Sequence, residues 1–386
     1  MALRKLVRRA RSRSHYAWFL AVREWPLLVV ALGVLLGAVV ALPVVAGAAL
    51  SLIVLVLGVV VLTRDLRGLR GRWSGFEFSQ DGAPFPHTEI AVPATYPAAF
   101  YSHLAGRGTA LLSDEIDHAV RERRFGVRIA EESYRPAAEL RATAPHLPQL
   151  HSATRPLLDR PVVGLRSDPL PGSGDAEVRV HRARSFDFQC SNELCGMRIA
   201  DRETGEEFDP RRRLLTDSAG RLRSLDAGEL ADVVGVSTLA FTTEGLLVVV
   251  GDGDPSGGGP LEPRDLATSD GTPRQTLHDV LRTGMERRLR ESTGLSSGSV
   301  AGTELTGFAR WMERGAKPEF FGITRLSASS NSIRGADLSF FEVDLATLRR
   351  ELRTGADLLE APSLPGQLRE TGSLRLLLAV RAAALR

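Results

Sequence analysis

The feature that most constrains this chain is an unbroken apolar run near its start. From Leu27 to Leu62, 36 positions carry no charge, and Ser51 is the one hydroxyl among them. A helix rises ~1.5 Å per residue, so ~20 apolar residues cross a bilayer. The run is too long for one comfortable span and suits two short ones. Pro43 and Gly47 lie near its middle. Proline removes a backbone donor and disfavours helix in the residue before it. The pattern therefore predicts a two-helix transmembrane hairpin over 26–63, with helices over 26–42 and 46–62 and a tight turn near 43–47. A pair of buried core helices would need polar faces, and this run has none. A cleaved signal is suggested by Ala46-Gly47-Ala48, but the apolar stretch continues beyond it.

The flanks set the expected orientation. Arg4, Lys5, Arg8, Arg9, Arg11, Arg13 and Arg23 precede the run, and Arg64, Arg67, Arg70 and Arg72 follow it. Cytoplasmic flanks collect Lys and Arg, so basic residues on both sides place both hairpin ends on the cytoplasmic side of the inner (plasma) membrane. Residues 1–72 carry a net charge of +9 within a chain of +3, which leaves −6 on residues 73–386. The basic excess thus faces lipid headgroups. A nucleic-acid binder would carry its positive patch on the folded domain, so lipid is an expected partner and nucleic acid is not.

Five segments follow from these shifts: a basic segment over 1–25, the hairpin over 26–63, and a proline-rich linker or accessory region over 64–174. A main soluble domain then covers 175–355 and a C-terminal helical segment covers 356–386. In the accessory region, 114–124 reads as a helix and 125–129 as a short strand. Beyond Ala176, alternating patterns predict strands over 177–182, 186–190 and 196–200. Val236–Thr242 and Leu246–Val250 form a hairpin pattern around Thr243-Glu244-Gly245. The glycine-rich stretch 251–260 reads as a flexible loop. Asp252 and Asp254 make it a poor phosphate cradle, and no Gly-Lys-Ser/Thr follows.

Thr272 and Pro273 suit an N-cap and first helical position, Leu277, Val280, Leu281, Met285 and Leu289 mark an apolar stripe, and Gly294 suits a helix terminator. Strands follow over 304–311, 319–326 and 338–343. A helix capped by Asp344 and a last helix over 374–385 close the chain. This order describes an α/β domain with a mixed sheet and helices on its faces. Cys190 and Cys195 are the only cysteines. Two thiols make neither a disulfide framework nor a four-ligand zinc site, so reduced structural thiols are expected.

The end of the central helix, Arg287-Arg-Leu-Arg-Glu-Ser-Thr-Gly-Leu295, resembles the end of the Nudix box, G-x5-E-x7-R-E-U-x-E-E-x-G-U with U aliphatic. Strand hairpin, glycine-rich loop, helix and strands also come in that family's order. The resemblance covers about residues 176–355 and implies a Nudix-like α/β/α sandwich. In the family, box carboxylates hold Mg²⁺ or Mn²⁺ against a diphosphate, and nucleoside diphosphate derivatives are hydrolysed. Arg287, Leu289, Glu291, Gly294 and Leu295 match the pattern. Arg288 and Ser292 replace two of its glutamates, Asp279 replaces the upstream Glu, and Pro273 the opening Gly.

A hard divalent cation prefers several charged oxygen ligands, and positions 288, 291 and 292 share one side of a helix. An arginine and a serine there predict lost or reduced catalysis. The expected function is a non-catalytic or weakly catalytic module that binds a nucleotide-like small molecule or a protein partner, with Arg287, Arg288 and Arg290 facing the ligand. Two alternatives stand beside it. One is an active hydrolase with Asp279, Glu286 and Glu291 around the metal, Glu291 foremost. The other is a structural membrane assembly protein. On a purely structural reading, Arg282, Glu286 and Arg290 form surface ion pairs at i,i+4 spacing.

Overall fold

The computed structural model describes residues 76–79, 90–137, 140, 158–170, 177–201, 204–205, 207–208, 210–251, 253–334 and 337–386. The basic segment 1–25 and the hairpin expected over 26–63 lie outside the described residues. Among the described residues, no helix is long and apolar enough to cross a membrane.

In chain order the strands are β1 (Phe76–Ser79), β2 (Phe100–Leu104), β3 (Gly108–Leu112), β4 (Gly126–Ile129), β5 (Pro161–Leu165), β6 (Glu177–Arg184), β7 (Arg198–Asp201) and β8 (Glu207–Phe208). They continue with β9 (Gly235–Phe241), β10 (Leu246–Val250), β11 (Asp254–Pro255), β12 (Gly259–Pro260), β13 (Val300–Trp311), β14 (Lys317–Leu326) and β15 (Leu338–Glu342). The α-helices are α1 (Asp114–Glu122), α2 (Ser185–Gln189), α3 (Pro210–Leu214), α4 (Leu277–Thr293), α5 (Leu345–Arg353), α6 (Gly366–Thr371) and α7 (Leu374–Ala384).

The main sheet runs β11-β10-β9-β14-β13-β3-β2, with β12 also on β9 and β15 on β10. It is mixed: β9 pairs β14 in parallel, while β13 and β14 are antiparallel. Residues 100–112, placed in the accessory region by their sequence, supply β2 and β3 to this same sheet through Arg310 and Trp311 of β13. A second small sheet, β4-β6-β5, joins residues from both sides of position 174.

Strand alternation sends neighbouring residues to opposite faces, and the sheet is covered on both. Val236 and Phe320 join the core that receives Leu277, Val280, Leu281 and Met285 of α4. Leu239 and Phe321 join the core that receives Leu376, Leu377 and Val380 of α7. Every residue of the expected stripe on α4, Leu289 included, is buried. Each such aliphatic side chain contributes about 1.5–3 kcal/mol on burial, which fixes the rotation of α4 against the sheet.

Three local expectations are corrected. Residues 186–190, read as a strand, belong mostly to the short helix α2, because the Asp187 carboxylate accepts the Arg184 backbone N–H at 2.8 Å and turns the chain at the end of β6. Helix α4 begins four residues later than Thr272 implies. Leu277 N–H donates to Phe125 O at 2.8 Å and Val127 N–H to Gln275 O at 3.0 Å. Pairing with the start of β4 therefore keeps 275–276 extended, and Thr276 becomes the N-cap. The glycine-rich stretch, read as a flexible loop, folds into β11 and β12, which pair with β10 and β9. Cys190 and Cys195 are buried and not bonded to each other.

Candidate functional site

The site grows from the approach of α4 to the turn before it. Gly284 lies mid-helix, where glycine ordinarily costs ~1 kcal/mol against alanine. A Cβ at this position would stand 2.2 Å from Leu261 Cδ2 and 3.3 Å from Asp265 Oδ2. The missing side chain lets the 262–266 turn rest on the helix. That turn is a short 3-10 helix over Pro263–Leu266, with Pro263 at its start and Glu262 and Asp265 forming a capping box. Its charged residues then meet the C-terminal half of α4.

Arg287 is the centre of that meeting. Its Nε donates to Asp265 Oδ1 at 2.8 Å and its Nη2 to Asp265 Oδ2 at 2.7 Å, a two-point fork. Nη2 also donates to Pro260 O at 3.1 Å, and Nη1 reaches Glu262 at 3.3 Å and Glu291 Oε2 at 3.2 Å. The Arg287 side chain is 8% exposed and that of Asp265 1%. Burial works against the charge on Arg287, but Asp265, Glu262 and Glu291 outweigh it and raise its pKa.

Glu291 accepts from three guanidinium groups. Arg264 Nη2 donates to it at 2.7 Å, Arg288 Nη1 at 2.8 Å and Arg287 Nη1 at 3.2 Å. Partial burial pushes the Glu291 carboxyl up, and Arg287, Arg288 and Arg264 more than reverse that, leaving it below the usual carboxylate range. Arg288 Nε donates to Gly258 O at 3.1 Å, tying α4 to the segment before β12. Ser292 Oγ donates to the carbonyls of Ser256 and Leu289.

The other expected residues lie apart. Asp279 sits in the first turn of α4, where its Oδ2 accepts from the Thr276 hydroxyl at 2.7 Å and its Oδ1 from Arg282 at 2.9 Å. It is twelve residues before Glu291, about 18 Å along the helix. Glu286 is half-buried, and Arg290 Nε donates to its backbone carbonyl at 3.2 Å instead of its carboxylate. The i,i+4 ion pairs expected through Glu286 are thus replaced by Arg282–Asp279 at i,i+3. Asp279, Glu286 and Glu291 do not converge. Arg287, expected to face a ligand, is enclosed by the protein's own carboxylates. Glu262, Arg264 and Asp265 were missed by sequence reasoning, although Glu262-Pro-Arg-Asp265 carries a recognisable capping-box spacing.

Mg²⁺ or Mn²⁺, implied by the resemblance, does not fit this donor set. Glu262, Asp265 and Glu291 bring three negative charges and Arg264, Arg287 and Arg288 three positive ones, so no negative surplus is left for a hard cation. Among the described residues, no group of three or more His, Cys, Asp or Glu side chains is arranged to hold a metal ion.

The class defined at this point is an α/β domain whose mixed sheet carries helices on both faces. Among solved structures, the chain is similar to Tm1382, a protein with a provisional Nudix hydrolase assignment. The match has 15% identity and a TM-score of 0.25, and covers 40% of this chain and 71% of that one. It is also similar to the MutT protein from Methanosarcina mazei Go1, at 15% identity and a TM-score of 0.19, over 36% of this chain and 88% of that one. No family model and no curated protein matches the chain.

Proposed function

We propose that this protein is a Nudix-like module held at the inner membrane face, in which the box helix serves binding and architecture instead of metal-assisted hydrolysis. Motif order and the placement of the box helix α4 against one sheet face support the family reading. The observation that carries the functional reading is the enclosure of Glu291 by Arg264, Arg287 and Arg288. Phosphoanhydride hydrolysis of the Nudix type needs a cation that polarises phosphate and activates water. A carboxylate already neutralised by three guanidinium groups is a poor ligand for that cation. The apolar run over 27–62 and its basic flanks support the anchor. A nucleotide-like small molecule is the ligand class this reading favours.

The test uses the full-length chain in detergent. Mn²⁺ titration followed by electron paramagnetic resonance is expected to show no tightly held ion. A panel of nucleoside diphosphate derivatives with Mg²⁺ is expected to show no turnover. Hydrolysis abolished by Glu291→Gln would overturn the proposal.

A further inference from the structure

A cleft of about 560 Å³ opens at the other end of α4, away from Glu291. Its walls come from the C-terminal half of α1 and the residues after it, the first turns of α4, and β13. This volume lies within the ~300–1,000 Å³ range of small-molecule sites. No residue of the box ending at 287–295 lines it.

Four arginines, Arg121, Arg124, Arg282 and Arg386, line this cleft against three carboxylates, Glu122, Asp279 and Glu304, and these charges are unevenly satisfied. Asp279 is neutralised by Arg282 at 2.9 Å and Glu304 by Arg386. Arg121 gives Nη1 to a backbone carbonyl, Thr306 O, at 3.0 Å. Among the described residues, neither Arg121 nor Arg124 has a carboxylate within ion-pair distance, and Arg124 is exposed at the rim. His278 points Nε2 toward Arg121 O at 3.4 Å, and its buried Nδ1 has no hydrogen-bond partner among the described residues. Burial keeps His278 below its ordinary pKa, with Arg124 and Arg282 adding to the effect against the Arg121 carbonyl. The ring is therefore neutral at pH 7, with one nitrogen awaiting a partner.

We propose that this cleft binds the phosphoryl group of a small molecule, with Arg121 and Arg124 as its cationic clamp and His278 Nδ1 as a hydrogen-bond partner to the rest of the ligand. Guanidinium forks match phosphate oxygens in geometry and charge. Both arginines line the cleft from the end of α1 and just beyond it. The inference does not depend on whether Glu291 holds a metal, because no box-ending residue takes part. The phosphoryl group can come from a free nucleotide or from a lipid headgroup, and the probes separate the two.

The experiment is calorimetric titration of the full-length protein in detergent with inorganic pyrophosphate, with ADP and with a short-chain phosphatidic acid below its micelle concentration. Saturable binding of pyrophosphate or ADP supports a free ligand, and binding of phosphatidic acid alone supports a lipid headgroup. In either case Arg121→Gln with Arg124→Gln is expected to weaken binding by about tenfold or more, since each charge-assisted contact is worth about one such factor. Arg353→Gln, an exposed arginine on α5, is expected to leave it unchanged. Replacing Arg121 also gives up its bond to Thr306 O, so an unchanged thermal melt of the double variant is the check on the fold. Absence of binding by all three probes, or equal affinity in the double variant, overturns the proposal.

Discussion

Arg287 and Asp265 form a buried two-point ion pair, with Nε–Oδ1 at 2.8 Å and Nη2–Oδ2 at 2.7 Å. Arg287 is on α4 and Asp265 on the preceding turn, so the pair fastens the two. Breaking a buried pair by removing one partner leaves an uncompensated charge and costs about 3–5 kcal/mol. Arg287→Met is expected to lower the urea midpoint by a corresponding amount. Arg287→Lys keeps the charge but not the fork, and should fall between Met and wild type. A Met variant within 1 kcal/mol of wild type would show that the pair is not needed for the fold.

Arg288→Glu combined with Ser292→Glu is expected to create a Mn²⁺ site. It removes one of the three guanidinium groups on Glu291 and adds two carboxylates on the same side of α4. Electron paramagnetic resonance of Mn²⁺ should register binding in the variant and not in the parent. Unchanged Mn²⁺ affinity would count against the Nudix-like placement of these positions.

Asp117 gives the protein an inverted acid response. Its carboxylate is buried and accepts the Phe308 N–H at 2.7 Å. Burial raises its pKa to about 7 from 3.8, against the lowering effect of that hydrogen bond and of Arg381 and Arg121. The folded state therefore holds a proton here that the unfolded chain has released between pH ~4 and ~7. This group makes stability fall as pH rises through that window, by on the order of 4 kcal/mol in full. Asp117→Asn keeps an acceptor for Phe308 and should flatten the slope relative to wild type in urea melts at pH 5, 6 and 7. Parallel curves for the two proteins would contradict the assignment.

The anchor proposal rests on residues 26–63. Membrane fractions washed with alkaline carbonate should retain the full-length chain, and deletion of 26–63 should release it. Release of the wild-type chain by carbonate would remove the hairpin from the account.

Much of the architecture is legible locally. The β9–β10 hairpin follows from two apolar runs around Gly245, which adopts φ 82°. Helix α4 follows from its stripe and from Gly294, which ends it at φ 71°. Asp344 caps α5 through bonds to the Ala346 and Thr347 N–H groups, as its position before the helix implied. Phe186–Cys190 defeats the same logic, because its period-two alternation is overridden by the Asp187 cap. Residues 100–112 show no strand signal strong enough to reveal that β13 lies beside them.

By itself the sequence determined which segments are apolar, which helices can start and stop where, and that Arg288 and Ser292, not carboxylates, flank Glu291 on one side of a helix. Those properties depend on neighbours along the chain, whose spacing is fixed by backbone geometry. The tertiary structure alone decided what the remaining charges do. Arg287 and Glu291 look like ligand-facing groups until Asp265, Glu262 and Arg264 fold against them from more than twenty residues away. Arg121 and His278 look unrelated until α1 and α4 form one wall. An ionic contact between distant residues follows from the packing of the elements that carry them, and no local pattern encodes it.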